Sequence, residues 1–348
     1  MRILYGVAGE GYGHSSRAAV ITDYLQKKGH KVVIMTYGQA YNVLKNKFKV
    51  FKVKGLHLFF EKSVLNTEKT IFDNIRHFTK NFLRWKKFYK LMQEFKPELC
   101  ISDMEPIVPI LRNWYKLPLI CIDNQHRITN LDIEVPKKYY QDYLTAKAVV
   151  DSFVKRADYF LVLSFANVKI NKRDTIILPP IIREEIKKIK NKAKYGDKIL
   201  VYLTKKDKYI LEELKAIREN FAVYGYDKKG KQGNIEFKTK ETFLQDLKDC
   251  KAIIATSGFT LISEALYLKK PYLALPLKGQ FEQTLNALFL KKAGFGDYTE
   301  NLNEKEIIYF LHKLDFYKKN LQNYKADCNK IFKVLDKILK EFKKKQDN

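Results

Sequence analysis

Cysteine is scarce in this chain, and the four residues present, Cys100, Cys121, Cys250 and Cys328, stand far apart. None belongs to a Cys-x-x-Cys pair, which argues against a zinc site or a disulfide framework. No run approaches the roughly 18 to 20 consecutive apolar residues that a membrane-crossing helix requires. The chain opens on Arg-Ile-Leu-Tyr-Gly-Val-Ala, a strand pattern rather than the apolar core of a signal peptide. A reducing cytoplasm is the compartment these features indicate. Acidic residues are also short, with 39 Asp and Glu against 66 Lys and Arg, a formal charge of +27. Such an excess predicts attraction to anions: phosphates, acidic lipid headgroups or nucleic acid. Much of it is lysine spread along the whole sequence, as a general lysine bias would leave it.

What is present is enough apolar surface for a packed protein. Hydrophobic residues make up 46% of the 348 positions, which suits full globular packing over two domains of ordinary size. Short apolar strands alternate with helical segments, the pattern of a doubly wound parallel sheet. Strands are expected at Ile3 to Ala8, Val32 to Thr36, Val50 to Val53, Leu99 to Ser102, Leu119 to Ile122 and Tyr159 to Leu163, and regular structure runs on as far as Ile176 to Leu178. Helices are expected at Ser15 to Lys28 and from about Thr70 to Phe95. Pro179-Pro180 then stops regular structure, and a lysine-rich linker follows. A second series runs through Ile199 to Leu203, Phe221 to Tyr224, Ile235 to Phe237, Ala252 to Ala255 and Tyr272 to Leu275. The expected class is α/β, two Rossmann-like domains facing across a cleft: residues 1–180, residues 181–314, and a helix in 315–348, from about Asp315 to Phe342, that returns to the first domain. Ligands of such folds bind at strand ends and between domains.

The most informative segment is Ala252 to Asn286. Two apolar strands bracket a helix whose amino end begins at Ser257-Gly258, offering unpaired N–H groups and the positive end of a helix dipole to a nucleotide diphosphate. Glu264 falls about two turns into that helix, where it can meet a ribose. After Pro276, the loop carries Gln280, Glu282 and Gln283, polar groups suited to sugar hydroxyls. An ordinary capped strand-helix-strand unit fits the same spacing.

The first strand runs into Gly9-Glu10-Gly11-Tyr12-Gly13-His14-Ser15-Ser16-Arg17. As a dinucleotide fingerprint it fails, because His14 takes the third glycine position and the second strand ends in Met35-Thr36 without an acid for a ribose. No nicotinamide cofactor is expected. The loop does set a histidine at the positive end of a helix, which favours the uncharged ring that a general base needs. Asp103 follows another strand on the same rim, where it can accept the imidazole N–H and fix the tautomer, or cap a helix ahead of Pro106.

These two loops together resemble those of GT-B nucleotide-sugar glycosyltransferases, in the group containing glycosyltransferase families 1 and 28 and the bacterial lipid-intermediate N-acetylglucosaminyltransferase of peptidoglycan synthesis. The resemblance covers nearly the whole chain. It implies an inverting transfer without a metal, from a nucleotide-sugar, usually a UDP-sugar, bound by the C-terminal domain. Ser257, Gly258, Phe259 and Thr260 would hold the diphosphate, Glu264 the ribose, and Glu282 and Gln283 the transferred sugar, with Asn286 matching an asparagine that often follows that pair. His14 would be the base, with Gly13 beside the donor. Arg183 resembles an arginine that reaches donor phosphate. Thr204 stands where relatives have a serine or a glycine-rich turn. The sequence holds no Asp-x-Asp loop and no cluster with metal-ligand spacing.

An acceptor site is expected around Gly11, Tyr12, Glu105, Asn124 and His126, the last also a second acid/base candidate. Ile71, Ile75, Phe78, Phe82, Trp85, Tyr89 and Met92 form one helical stripe among Arg76, Lys80, Arg84, Lys86, Lys87 and Lys90. It is either a core face under a solvated basic surface or, with Leu56, Leu58, Phe59 and Phe60, a seat on an anionic membrane for a lipid-linked acceptor. The resemblance supports the membrane. A sugar-nucleotide epimerase on the same fold is the enzymatic alternative. A non-enzymatic binder of nucleic acid or anionic surfaces is the other, though no recognisable RNA or DNA module is present and no nucleic-acid partner is expected.

Overall fold

The computed structural model describes residues 1–54, 60–61, 64–65, 82–190, 193–204 and 206–347. The chain divides into two compact units, Met1–Ile181 with Asp327–Asn348, and Ile182–Ala326.

The first unit runs β1 (Arg2–Val7), α1 (Tyr12–Lys27), β2 (Lys31–Thr36), α2 (Gly38–Leu44), β3 (Val50–Lys52), the short antiparallel pair β4 (Phe60–Glu61) and β5 (Val64–Leu65), α3 (Phe82–Phe95), β6 (Leu99–Asp103), α4 (Ile107–Tyr115), β7 (Leu119–Asp123), α5 (Arg127–Asn130), α6 (Tyr140–Phe153), β8 (Tyr159–Leu163) and β9 (Thr175–Leu178). Seven of the strands form a parallel sheet in the order β3-β2-β1-β6-β7-β8-β9. β6 and β7 are buried from end to end, which is why they read as unbroken apolar runs: a parallel sheet is covered on both faces. One face packs Leu4, Val33, Cys100, Leu119 and Phe160 against Phe88 and Met92 of α3 and Val108 and Leu111 of α4.

The described part of the long helix expected from Thr70 is α3; Leu56, Leu58, Phe59, Ile71, Ile75 and Phe78 lie outside the described residues. Its inward face is Phe88, Leu91 and Met92, whereas Tyr89, expected on one stripe with Met92, is 62% exposed. Residues 88, 91 and 92 follow the i, i+3, i+4 spacing of a helix face, and 89 falls beside it.

The second unit runs α7 (Glu184–Ile189), β10 (Lys198–Tyr202), α8 (Lys208–Ala216), β11 (Asn220–Tyr224), β12 (Gly230–Gln232), β13 (Ile235–Phe237), α9 (Phe243–Asp249), β14 (Ala252–Thr256), α10 (Phe259–Tyr267), β15 (Tyr272–Leu275), α11 (Phe281–Lys292), β16 (Gly296–Tyr298), α12 (Glu304–His312) and α13 (Leu314–Gln322). Its sheet, β12-β13-β11-β10-β14-β15-β16, is parallel except for the edge strand β12. β16 hugs β15 because residue 296 is a glycine: a Cβ there would sit 1.9 Å from the Tyr272 carbonyl oxygen.

The single helix expected from Asp315 to Phe342 is instead two. α13 ends at Gln322, and α14 (Lys330–Asp347) begins after a turn in which the Asp327 carboxylate accepts the Asn329 N–H. α14 belongs to the first unit, burying Ile331, Leu335, Ile338 and Phe342. Tyr24 of α1 stacks on Phe332 and donates to Asp336, and Tyr159 donates to Glu341.

Both sheets are doubly wound, each with a switch point in its parallel part where the chain order reverses. In the first unit the reversal lies between β1 and β6, and in the second between β10 and β14. Such switch points leave a crevice at the carboxyl ends of the strands.

Candidate functional site

At the first switch point the register pairs Val7 with Asp103, so the loop leaving β1 meets the end of β6. The Ala8 N–H donates to the Asp103 carbonyl at 2.9 Å. Gly9 lies under the Tyr37 ring, where a Cβ would overlap the aromatic carbons, and Gly11 turns into α1 at φ 79°. His14 thereby falls in the first turn of α1, with Tyr12 exposed and Gly13 half-buried beside it.

His14 Nδ1 stands 2.7 Å from Asp103 Oδ1. Asp103 is fully buried, and Arg17 grips both of its oxygens, Nε to Oδ2 at 2.8 Å and Nη2 to Oδ1 at 2.6 Å. Burial would raise the Asp103 carboxyl, but Arg17 and His14 outweigh it and hold it below its ordinary value. Asn124 accepts from Arg17 Nη1 at 3.1 Å, and the Gln125 amide lies 3.4 Å from His14 Nε2. The strand ends thus assemble His14, Asp103 and Asn124. Arg17 completes the group, and sequence reasoning passed over it although its place three residues after His14 puts it on the same helix face.

Two other acceptor candidates are engaged within the first unit. Glu105 is buried and receives the Ile107 and Val108 N–H groups at the start of α4; burial pushes its carboxyl up to about 7, these donors opposing. His126 takes the Asp123 carboxylate on Nδ1 at 2.6 Å and the Val154 carbonyl on Nε2 at 3.0 Å. Burial works against its charged form, but Asp123 and the Val154 carbonyl prevail and raise it. With both nitrogens donating, it ties the turn after β7 to the end of α6.

At the second switch point, β14 leads through Ser257 and Gly258 into α10. Among the described residues no side chain caps this helix, whose first-turn N–H groups have no partner within the helix itself. A Cβ on Gly258 would meet nothing within 4 Å, which leaves the helix end open to close approach. Ser257 is fully buried, and among the described residues its Oγ has no hydrogen-bond partner. Asn286 of α11 holds the Ser257 carbonyl at 2.8 Å. Phe259 and Thr260 form the first turn of α10.

Glu264 lies on this helix with its carboxylate buried, paired through both oxygens to Arg183. Burial raises the Glu264 carboxyl, and Arg183 only partly offsets it. Gln280 precedes α11 and accepts from the Gln283 amide at 2.7 Å, with Glu282 half-buried between them. Thr204, after β10, is exposed. Among the described residues no group of three His, Cys, Asp or Glu side chains is placed to hold a metal ion.

The family model described as glycosyl transferase family 1 matches residues 1–315. A glycosyltransferase of Methanosarcina acetivorans is 23% identical over 348 residues, covering 88% of each chain. One from Methanosarcina mazei is 22% identical and covers 97% of this chain and 96% of its own. Among solved structures, the glycosyltransferase of kitacinnamycin aligns with a TM-score of 0.67 at 12% identity, over 92% of this chain and 93% of that one. The spinosyn rhamnosyltransferase complexed with thymidine diphosphate aligns with a TM-score of 0.64 at 12% identity, over 97% and 100%. With two seven-stranded α/β units and a family match across most of its length, the chain belongs to glycosyl transferase family 1 and is a glycosyltransferase of the GT-B fold.

Proposed function

We propose that the protein moves a sugar from a nucleotide diphosphate sugar, in the first place a UDP-sugar, to an acceptor hydroxyl, inverting the anomeric carbon without a metal ion or cofactor. His14 Nε2 takes the acceptor proton as the acceptor oxygen bonds to the anomeric carbon. The bond from that carbon to the diphosphate breaks, and its electron pair leaves on phosphate. The open end of α10, the Ser257 hydroxyl and Arg183 meet that charge. Glu264 takes the ribose, and Gln280, Glu282 and Gln283 the sugar. Gly11, Tyr12 and Asn124 contribute to the acceptor side.

Ser257 carries this reading. A buried hydroxyl without a partner costs about 1–3 kcal/mol, and here it stands beside an uncapped helix end and a glycine with open space around it. A bound diphosphate supplies the missing partner. The thymidine diphosphate complex of the spinosyn relative brings TDP-sugars into the same test. A thermal-shift panel of UDP-, TDP- and GDP-sugars should raise the melting temperature with UDP-sugars first, because a ligand of the native state stabilises it by mass action. If none of the panel protects the fold, the donor assignment fails.

The acceptor proposed is lipid-linked, at the cytoplasmic face of an anionic membrane. Trp114, 60% exposed, supports this: its ring lies 4.5 Å from that of Trp85 on α3, a helix that also carries exposed Tyr89 and Lys86, Lys87 and Lys90. Flotation with phosphatidylglycerol vesicles, lost in Trp114→Ala and absent with phosphatidylcholine, is the expected result. Equal flotation with both lipids removes the proposal.

A further inference from the structure

We propose that Arg17 is the positioning residue of the His14–Asp103 pair, holding His14 as the Nδ1–H tautomer with Nε2 bare by occupying both oxygens of Asp103 and cancelling its charge. The catalytic importance of this rests on His14 being the base.

Arg17 is itself 5% exposed and fixed in three directions, by the two Asp103 oxygens and by Asn124 Oδ1. It has no room to swing. Asp103 Oδ1 already receives Arg17 Nη2 when it meets His14 Nδ1 at 2.7 Å, and Arg17 Nη2 is also 3.1 Å from that nitrogen. A bare Nδ1 could accept from Arg17 Nη2 at 3.1 Å, but its lone pair would then press against the carboxylate at the shorter 2.7 Å, so the proton belongs on Nδ1. The lone pair then lies on Nε2, with the Gln125 amide 3.4 Å away.

The charge count gives Arg17 its second effect. His14, Asp103 and Arg17 sum to zero while the ring is neutral and to plus one when Nε2 takes a proton. Without Arg17, the buried carboxylate would be uncompensated and would draw a proton onto the resting ring, which could not then accept one from a substrate. Among the described residues, the other groups that face the cluster are the Tyr5 hydroxyl of β1, buried and with no hydrogen-bond partner among them, and Asp123 of β7. Glu105, after β6, is turned to the amino end of α4. Asp123 is engaged with His126, so Arg17 is the cation that neutralises Asp103.

The test is nitrogen-15 NMR of ring-labelled histidine in the full chain, with the His14 signal assigned by its loss in His14→Gln. The wild type should show a neutral ring with its proton on Nδ1 at pH 7. Arg17→Gln should show both nitrogens protonated at that pH, and Arg17→Lys, which restores the charge, should keep the ring neutral. A wild-type proton on Nε2, an unchanged neutral ring in Arg17→Gln, or a doubly protonated ring in Arg17→Lys overturns the proposal. Arg17→Gln leaves a buried carboxylate unpaired; should it not fold, the wild type and Arg17→Lys still decide. The readout needs no substrate. If His14→Ala keeps full turnover while these ring states hold, the base assignment fails and the positioning stands.

Discussion

Arg183 and Glu264 hold each other through two parallel hydrogen bonds, Nε to Oε1 at 2.6 Å and Nη2 to Oε2 at 2.9 Å. The same two side chains are the proposed contacts for donor phosphate and ribose, so donor binding has to share or exchange a preformed pair. The pair is unequal: the Arg183 side chain is 31% exposed and that of Glu264 3%. Removing one partner of a buried pair is damaging because of the charge left behind. Arg183→Ala should therefore destabilise the second unit by about 3 kcal/mol. Glu264→Ala, whose orphaned guanidinium can turn to water, should cost about 1 kcal/mol. Urea unfolding followed by hydrogen exchange in β14 and α10 measures both, and equal costs would contradict the asymmetry.

Ser257→Ala should separate stability from binding. The mutation removes a hydroxyl that is desolvated without compensation, so the free protein gains about 1 kcal/mol. The proposed diphosphate loses a hydrogen bond and binds about tenfold more weakly, the equivalent of 1.4 kcal/mol. A thermal melt with and without the protective donor reads both effects. A destabilised free protein would mean that Oγ has an internal partner, such as a buried water.

The pH dependence of the first unit should follow Glu105. Its carboxyl is raised from an ordinary 4.5 to about 7 by burial, so the folded state holds a proton that the unfolded chain has released. Stability then falls as pH rises from 4.5 toward 7, by on the order of 3 kcal/mol if the full shift is expressed. His126, raised above 6.5, adds a decline that begins near 6.5 and continues above it. Both tryptophans, Trp85 and Trp114, lie in the first unit, so their fluorescence reports its unfolding. Glu105→Gln should abolish the decline below pH 6.5 and leave the upper one. A wild-type unit that gains stability between pH 4.5 and 6.5 has the opposite sign and refutes the assignment.

The strands and both glycine loops were legible because parallel strands buried on two faces are unbroken apolar runs, and because Gly11 and Gly258 mark where a strand turns into a helix. Strand β16 escaped notice: three residues with Asp297 at the centre make no apolar run, and Gly296 reveals itself only against the Tyr272 carbonyl. The break between α13 and α14 has no proline or glycine to announce it. Pairings across long separations were equally hidden. His14 and Asp103 could be placed on one rim by counting strands, but nothing in the spacing joins Arg17 to Asp103 or Arg183 to Glu264. Their partners are 86 and 81 residues away, and each pair is defined by the sheet.

His14→Ala tests the chemistry most directly. A single positioned base contributes on the order of 10² to 10⁴ in rate, so release of nucleoside diphosphate at saturating donor and acceptor should fall by that factor. The protective shift from the donor alone should stay as it is, because the proposed donor contacts belong to the second unit and His14 caps nothing there. Asp103→Asn should also slow the reaction, but with a cost in stability that His14→Ala lacks: an amide at 103 leaves Arg17 a buried cation without its counter-charge. A slow but stable His14→Ala beside a slow and unstable Asp103→Asn is the pattern that a base held by a buried ion pair requires. Full turnover in His14→Ala would move the proton transfer to another group, and the Tyr12 hydroxyl, exposed in the same turn of α1, is where the search would begin.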